Sequence, residues 1–309
     1  MVYLNSFRLP SKREEDAYFD PFYAAQQGLQ SGGGKVMKNV TVSQYPFRLF
    51  YYKTMPVFEF EPVTILYGGN GSGKSTILNL IAEKLGLNRT SVYNRSEFFD
   101  DYVALCRYEG DDIPEESRII TSDDVFNYLL DIRYLNDGTE NNRVELYKAY
   151  SEEKQRSRSG DVFRMKSLDD YHGLKKRLDV NRMTMSRYVR ENAPEEVRER
   201  SNGESAYRYF TNEIGEGGLY LLDEPENSMA PAMQFELKQF LTDSARFFHC
   251  QLIIATHSPF LLSMKGAKVY DLDEAAPGVK HWTELENVRT YYHFFKEHEG
   301  EFESSHGLF

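Results

Sequence analysis

The chain has 309 residues, 40% of them hydrophobic and 28% charged, with 21 Gly and 11 Pro. That composition supports a buried core of one large or two modest domains and excludes a disordered, fibrous or disulfide-stapled chain. Lys plus Arg number 37 against 48 Asp plus Glu, a net charge of −11, so long-range attraction to nucleic acid or anionic membrane is excluded and any such contact is local.

The two cysteines, Cys106 and Cys250, lie in apolar stretches without CxxC spacing, the pattern of buried thiols in a reducing compartment. No window approaches the roughly 18 to 20 apolar residues of a membrane helix, and charges at Arg8, Lys12 and Arg13 precede any signal-peptide core. The expected location is the cytoplasm, with no membrane segment.

In chain order, residues 1–62 read as a β-rich entry subdomain, with strand-like stretches at Tyr3–Leu9, Phe47–Tyr52 and Val57–Phe60 and a glycine-rich interruption at Ser31–Lys35. Val63–Leu66 is an apolar run that ends in glycines. Ile77, Leu78, Leu80, Ile81 and Leu85 then recur at helical spacing until Gly86 stops the helix. Arg118–Thr121 reads as a strand, and Thr121 with Asp124 forms a capping box for a helix through Val125, Leu129 and Leu130. Residues 136–200 lose apolar character and read as a helical insertion, with a loop at Arg156–Gly160. The last third returns to strands at Leu219–Leu222, Leu252–Ala255 and Val269–Leu272. Between the first two lies a helix from Pro231 with Met233, Leu237, Phe240, Leu241, Ala245 and Phe248 on one face. Continuous apolar strands alternating with helices predict an α/β fold, a parallel sheet with helices on both faces.

The segment Gly68-Gly69-Asn70-Gly71-Ser72-Gly73-Lys74-Ser75-Thr76 matches G-x-x-x-x-G-K-[ST] between a strand and a helix, the context of a P-loop rather than of an ordinary glycine turn. Its glycines let successive N–H groups face phosphates, Lys74 reaches the β and γ oxygens, and the Ser75 hydroxyl suits Mg²⁺. The run Leu219–Leu222 ends in Asp223 and Glu224, a Walker B pattern in which Asp223 serves the metal and Glu224 orients and polarises the attacking water; a solvated turn is the bland alternative. His257 ends a further apolar strand, where it either contacts the γ-phosphate, holds Glu224 and the water, or is merely structural.

The order P-loop, Ser201-Asn202-Gly203-Glu204, Leu222-Asp223-Glu224-Pro225-Glu226-Asn227, Ala255-Thr256-His257-Ser258-Pro259 resembles the ATP-binding-cassette (ABC) class of ATPases. Within it the chain is most similar to the soluble bacterial proteins called AAA family ATPases, relatives of chromosome-maintenance and break-repair ATPase heads and of the ATPase part of the overcoming-lysogenization-defect nucleases. The resemblance implies a P-loop NTPase fold of ABC type over the single domain 1–309, Mg²⁺-dependent ATP hydrolysis, and two copies paired head to tail. It implies that Ser201 acts in trans through its hydroxyl and Gly203 through its backbone N–H, and that Asn227 and Ser228 cross the dimer interface. An adenine-stacking aromatic belongs upstream of the P-loop; Tyr45 and Phe47 are candidates, with a core role as the alternative.

Two departures bear on these implications. Arg200, Asn202 and Glu204 stand where transporter cassettes show Leu, Gly and Gln, and no Q-loop glutamine is found; Glu97 is the candidate substitute, a solvated turn its alternative. A missing Q-loop counts against the ATP-binding subunit of a membrane transporter, and Glu224 with His257 counts against a non-turnover, ATP-gated scaffold. The 136–200 insertion occupies the coiled-coil position of the related heads but sustains no apolar heptad. Its Lys175-Lys176-Arg177, Arg182, Arg187 and Arg190 suit nucleic acid, an acidic partner or simply solvent, and Trp282–Phe302 reads as a docking helix. The 52 residues after His257 are fewer than the nuclease domain of the overcoming-lysogenization-defect proteins needs, so none is expected within them. The expectation is an ATPase that switches a separately encoded effector in bacterial DNA metabolism or phage defence.

Overall fold

In a computed structural model of the chain, the described residues are 1–20, 44–158, 182–185, 187 and 201–304. They begin with β1 (Leu4–Arg8), α1 (Lys12–Phe19), β2 (Phe58–Glu59), β3 (Val63–Tyr67), α2 (Lys74–Leu85), α3 (Phe99–Leu105), β4 (Arg107–Gly110), β5 (Arg118–Thr121) and α4 (Ser122–Arg158). There follow α5 (Asn202–Glu213), β6 (Leu219–Asp223), α6 (Pro231–Phe247), β7 (Gln251–Ala255), α7 (Pro259–Leu262), β8 (Lys268–Asp271) and β9 (Gly278–Val279). A 3₁₀ turn (Trp282–Glu284), α8 (Glu286–Glu297) and α9 (Glu299–Ser304) complete the order. The chain divides into two compact units, 1–125 with 202–309, and 126–201.

Every residue of β3 and β7 is buried, as strands covered on both faces must be. They sit at the centre of a six-stranded sheet of order β5-β6-β7-β3-β8-β9. The first five strands are parallel, and β9 pairs antiparallel with β8. Leu66 pairs with Ala255, and Asp223 with Ala255, so β3, β6 and β7 end level with one another. The P-loop, the Asp223-Glu224 pair and the Thr256-His257 turn therefore leave the sheet at the same carboxyl edge, where α/β folds bind ligands. Helix α2 packs on β5, β6 and β7, burying Ile77, Leu78, Leu80 and Ile81, and Gly86 ends it in the left-handed conformation (φ 65°). Each such side chain contributes roughly 1.5–3 kcal/mol by leaving water. On α6, Leu237 and Leu241 are buried but Phe248 is exposed, so the apolar face is narrower than its sequence suggests.

A second, antiparallel sheet has the order β2-β1-β4. The wholly buried Gln251 at the start of β7 joins the two sheets: its Oε1 accepts from the N–H groups of Tyr3 and Leu4, both at 2.8 Å, and its Nε2 donates to the Leu4 carbonyl at 2.8 Å. The expected strand at Phe47–Tyr52 is instead a run of turns. Buried Glu15 explains it: its carboxylate accepts from the Arg48 N–H (2.9 Å) and the Tyr102 hydroxyl (3.3 Å), and Arg48 takes a positive φ of 65°. A lone buried carboxylate needs such donors, and they come from a turn rather than a ladder. Ser31–Lys35 lies outside the described residues.

Thr121 and Asp124 form the expected cap: Asp124 Oδ2 accepts from the Thr121 N–H at 2.7 Å. The expected loop at Arg156–Gly160 is corrected in part, because residues 156–158 continue α4; residues 159–160 lie outside the description. In the 126–201 unit, the Tyr150 hydroxyl donates to the Met183 carbonyl at 2.9 Å. Both cysteines are buried and free, and burial pushes the Cys106 thiol up to about 12. Among the described residues no helix is long and apolar enough to cross a membrane.

One pH effect follows from the first turn of α1. Arg8 holds Glu14 bidentately, both contacts 2.7 Å, and Ser11 completes a capping box with it. The Arg8 hydrogen bonds hold the Glu14 carboxyl down at about 2. A depressed carboxyl pKa adds stability above the unfolded value and loses it as pH falls toward the folded one. Chemical denaturation from pH 5 to 2 should show wild type losing this contribution between about 4.5 and 2, while Glu14→Gln, lacking it throughout, has a flatter profile in that window.

Candidate nucleotide-binding site

The P-loop leaves the tip of β3 and turns through Gly71 (φ 84°) and Gly73 (φ 101°) into α2, both in a region closed to most side chains. Gly73 also lies under Phe50: a Cβ there would come 2.4 Å from the Phe50 ring. Ser72 N–H donates to the Gly69 carbonyl at 3.1 Å, and Ile77 N–H to the Gly73 carbonyl at 2.9 Å. Asn70, Gly71 and Ser75 are exposed, whereas Gly68, Ser72, Lys74 and Thr76 are buried. The amino end of α2 thus opens onto a concave loop of amides with partial positive charge. Asp273, just beyond β8, accepts the Gly69 N–H with both oxygens, at 2.7 and 2.9 Å.

Lys74 Nζ folds over this loop and donates to the carbonyls of Gly68 (2.7 Å) and Gly69 (3.2 Å). It stands 3.0 Å from His257 Nε2 and 4.0 Å from Glu224 Oε1. Burial lowers the Lys74 pKa, and the carboxylates of Glu224 and Asp223 oppose that shift. His257 Nε2 is also 3.0 Å from Glu224 Oε1. Glu224 has left β6 with φ 49°, a conformation that costs a non-glycine residue about 1–2 kcal/mol. Its N–H donates to the Ala255 carbonyl at 2.8 Å, and its Oε2 accepts from Asn227 Nδ2 at 3.2 Å. The His257 hydrogen bond, aided by Asn227, holds the Glu224 carboxyl down at about 2. Lys74, Glu224 and His257, drawn from three strand ends, converge on one point.

Ser75 Oγ donates to Asp223 Oδ1 at 3.1 Å, and burial raises the Asp223 carboxyl to about 6. That separation suits Mg²⁺, since two neighbouring ligands on an octahedron with bonds of about 2.1 Å stand about 3 Å apart. Among the described residues no group of three or more His, Cys, Asp or Glu side chains is placed to hold a metal ion.

Other expected site residues lie elsewhere. Ser201 and Asn202 are exposed, and Gly203 is buried against the chain's own Ser228–Ala230 backbone, where a Cβ would come 3.1 Å from the Ser228 carbonyl oxygen. Asn227 and Ser228 are exposed, Ser228 with φ 67°. Glu97 is an exposed turn residue ahead of α3. Phe47 is not available to a base: it is buried among Tyr18, Phe19, Phe98 and Tyr102, stacked 4.6 Å from the Tyr18 ring. Tyr45 is half-buried beside the P-loop helix, its hydroxyl 3.0 Å from Thr76 Oγ1. Of the basic residues in the insertion, Arg182 and Arg187 are exposed, while Lys175-Lys176-Arg177 and Arg190 lie outside the described residues. Helix α8 buries only Val288 and leaves Tyr291, Tyr292, Phe294 and Phe295 about half exposed. A cavity of about 810 Å³ between it and the Glu226, Asn227 and His257 loops borders the site without including any P-loop residue.

Three residues near the site were not visible from local spacing. Glu226 accepts hydrogen bonds from Thr256, His257 and Ser258; Asp273 caps Gly69; Phe50 covers Gly73. The third acid of Asp223-Glu224-Pro225-Glu226 and the acid that follows the β8 run were the only sequence signals for Glu226 and Asp273, and Phe50 had none.

A parallel sheet with the P-loop at its central strand and an acidic pair at the tip of a nearby strand is the arrangement of a P-loop NTPase. Residues 200–263 match the family model described as "AAA domain, putative AbiEii toxin, Type IV TA system". Solved structures similar to it include the dimeric ATP-binding cassette MJ0796 in a post-hydrolysis state bound to ADP and Pi, at 15% identity over 73% of this chain and 88% of that one, TM-score 0.35. A nucleotide-free ATP-binding cassette from an ABC transporter aligns at 15% identity over 76% of this chain and 86% of that one, TM-score 0.36. No curated protein matches the sequence significantly. The fold assignment itself rests on the strand order and the loop geometry.

Proposed function

We propose that the chain binds Mg²⁺·ATP at the P-loop and hydrolyses it to ADP and phosphate, pairing head to tail with a second copy while ATP is bound. The convergence of Lys74, His257 and Glu224 within 3.0–4.0 Å carries this reading. A single ring nitrogen cannot accept from Lys74 and donate to Glu224 at once. A γ-phosphate oxygen between Lys74 and His257 satisfies both as donors and frees Glu224 to orient and polarise a water. The P-loop amides and Lys74 hold the phosphates. Ser75 and Asp223 would hold Mg²⁺, whose charge offsets that of the β and γ oxygens when bound.

Head-to-tail pairing brings Ser201 and Gly203 of one copy over the nucleotide of the other; their place at and beside the amino end of α5 suits an anion, through a hydroxyl and a backbone N–H. Hydrolysis then switches a separate effector, in bacterial DNA metabolism or phage defence. The family description, a toxin of a type IV TA system, supports a chain that works with a second component. Light scattering after size exclusion tests the pairing: Glu224→Gln should be monomeric alone and dimeric with Mg²⁺·ATP. A variant that binds ATP and stays monomeric overturns the trans role of Ser201 and Gly203.

A further inference from the structure

We infer that Glu226 is a positioning residue that fixes His257 against Glu224; the inference rests on the reading that His257 serves ATP hydrolysis. Glu226 follows Glu224 by two residues. Its Oε1 accepts three hydrogen bonds from three successive residues of the turn after β7: Thr256 Oγ1 at 2.6 Å, His257 N–H at 2.8 Å and Ser258 N–H at 3.1 Å. Thr256 N–H makes the last bond to the neighbouring strand, donating to the Leu66 carbonyl at 3.3 Å. Past that rung the sheet offers the His257 N–H no acceptor, and an unpaired backbone donor is costly, whereas the Ser258 N–H also donates to Thr256 Oγ1 at 3.0 Å. Glu226 supplies the acceptor for His257.

The clamp is reciprocal in the chain. The segment that carries Glu226 also carries Glu224, whose own N–H is tied to the Ala255 carbonyl of β7 and whose carboxylate is held by Asn227. The two loops are therefore laced together on both sides of the 3.0 Å contact between His257 Nε2 and Glu224 Oε1. From the far side, Ser258 Oγ donates to Gln234 Oε1 at 2.6 Å and accepts from Phe260 N–H at 3.2 Å, which fixes the end of the turn beyond His257. Bonds to an ionised carboxylate are about twice as strong as neutral ones, which sets Glu apart from Gln here. Glu226 Oε2 is buried and takes no hydrogen bond among the described residues.

Steady-state turnover, ATP KM and His257 imidazole NMR shifts should be measured for Glu226→Gln, Glu226→Ala, His257→Ala and Glu226→Ala/His257→Ala. The expected result is a kcat about 10- to 100-fold lower for Glu226→Ala and an intermediate loss for Glu226→Gln, with KM within about twofold of wild type. The double variant should be no slower than His257→Ala, and the His257 resonances should move in Glu226→Ala. A merely structural role gives multiplying losses and unmoved resonances, and either result overturns the inference. If Glu226→Ala does not fold, Glu226→Gln carries both readouts, and wild-type kcat with an unmoved His257 overturns it. If His257→Ala turns over at the wild-type rate, the hydrolysis reading of His257 fails, and the Glu226 clamp then stands or falls on the His257 resonances alone.

Discussion

Glu224→Gln should lower ATP turnover by about 100- to 1,000-fold while leaving ATP affinity close to wild type. The substitution keeps the shape of the side chain and an oxygen for the hydrogen bond from His257 or Asn227. It removes the negative charge, which persists in the wild type because the His257 bond holds the carboxyl down at about 2. While so paired, Glu224 is a weak base. A phosphate that takes His257 for itself removes that bond and makes the carboxylate more basic beside the water, so the charge matters at the hydrolytic step and little in binding. Phosphate release, with fluorescent-nucleotide titration in parallel, separates the two. Equal loss of affinity and turnover would instead make Glu224 a binding residue.

Gly73→Ala should destabilise the protein by about 2–5 kcal/mol and remove measurable ATP binding, because two independent penalties meet at one residue. The backbone there has φ 101°, and the added methyl would lie 2.4 and 2.7 Å from two atoms of the Phe50 ring, itself only 3% exposed. Neither the ring nor the start of α2 can give way without moving the loop amides. Gly71→Ala is the internal comparison: its φ is 84°, but nothing lies within 4 Å of an added Cβ, so only the backbone penalty of about 1–2 kcal/mol remains. Thermal unfolding of both variants should show the larger loss at Gly73, and equal losses would remove Phe50 from the argument.

Much of the site was legible because its determinants are local. Glycine spacing, the strand before it and the helix after it define the P-loop within ten residues, and continuous apolar runs put Asp223, Glu224 and His257 at strand tips. The parallel register then does what no local pattern states, setting Asp223 opposite Ala255 and Leu66 opposite Ala255 so that the three tips coincide. Residues whose role depends on distant partners stayed hidden. Glu226 meets Thr256 across 30 positions, and Asp273 meets Gly69 across 204. Phe47–Tyr52 is rich in the aromatic residues that favour strands, yet buried Glu15 draws the Arg48 N–H into a turn, and a tertiary demand of that kind overrides local β preference. Phe47, an aromatic upstream of the P-loop, is in the core for the same reason: α1 and α3 supply rings to pack against it.

Phosphate release by the purified wild-type chain with ATP, with and without Mg²⁺ and beside Lys74→Ala, separates a hydrolase from a nucleotide clamp. Saturable release that requires Mg²⁺ and vanishes in Lys74→Ala is expected. Tight, Mg²⁺-dependent ATP binding by the wild type with no release over many hours would contradict it, and would make the convergence of Lys74, His257 and Glu224 a nucleotide clamp rather than a hydrolytic site.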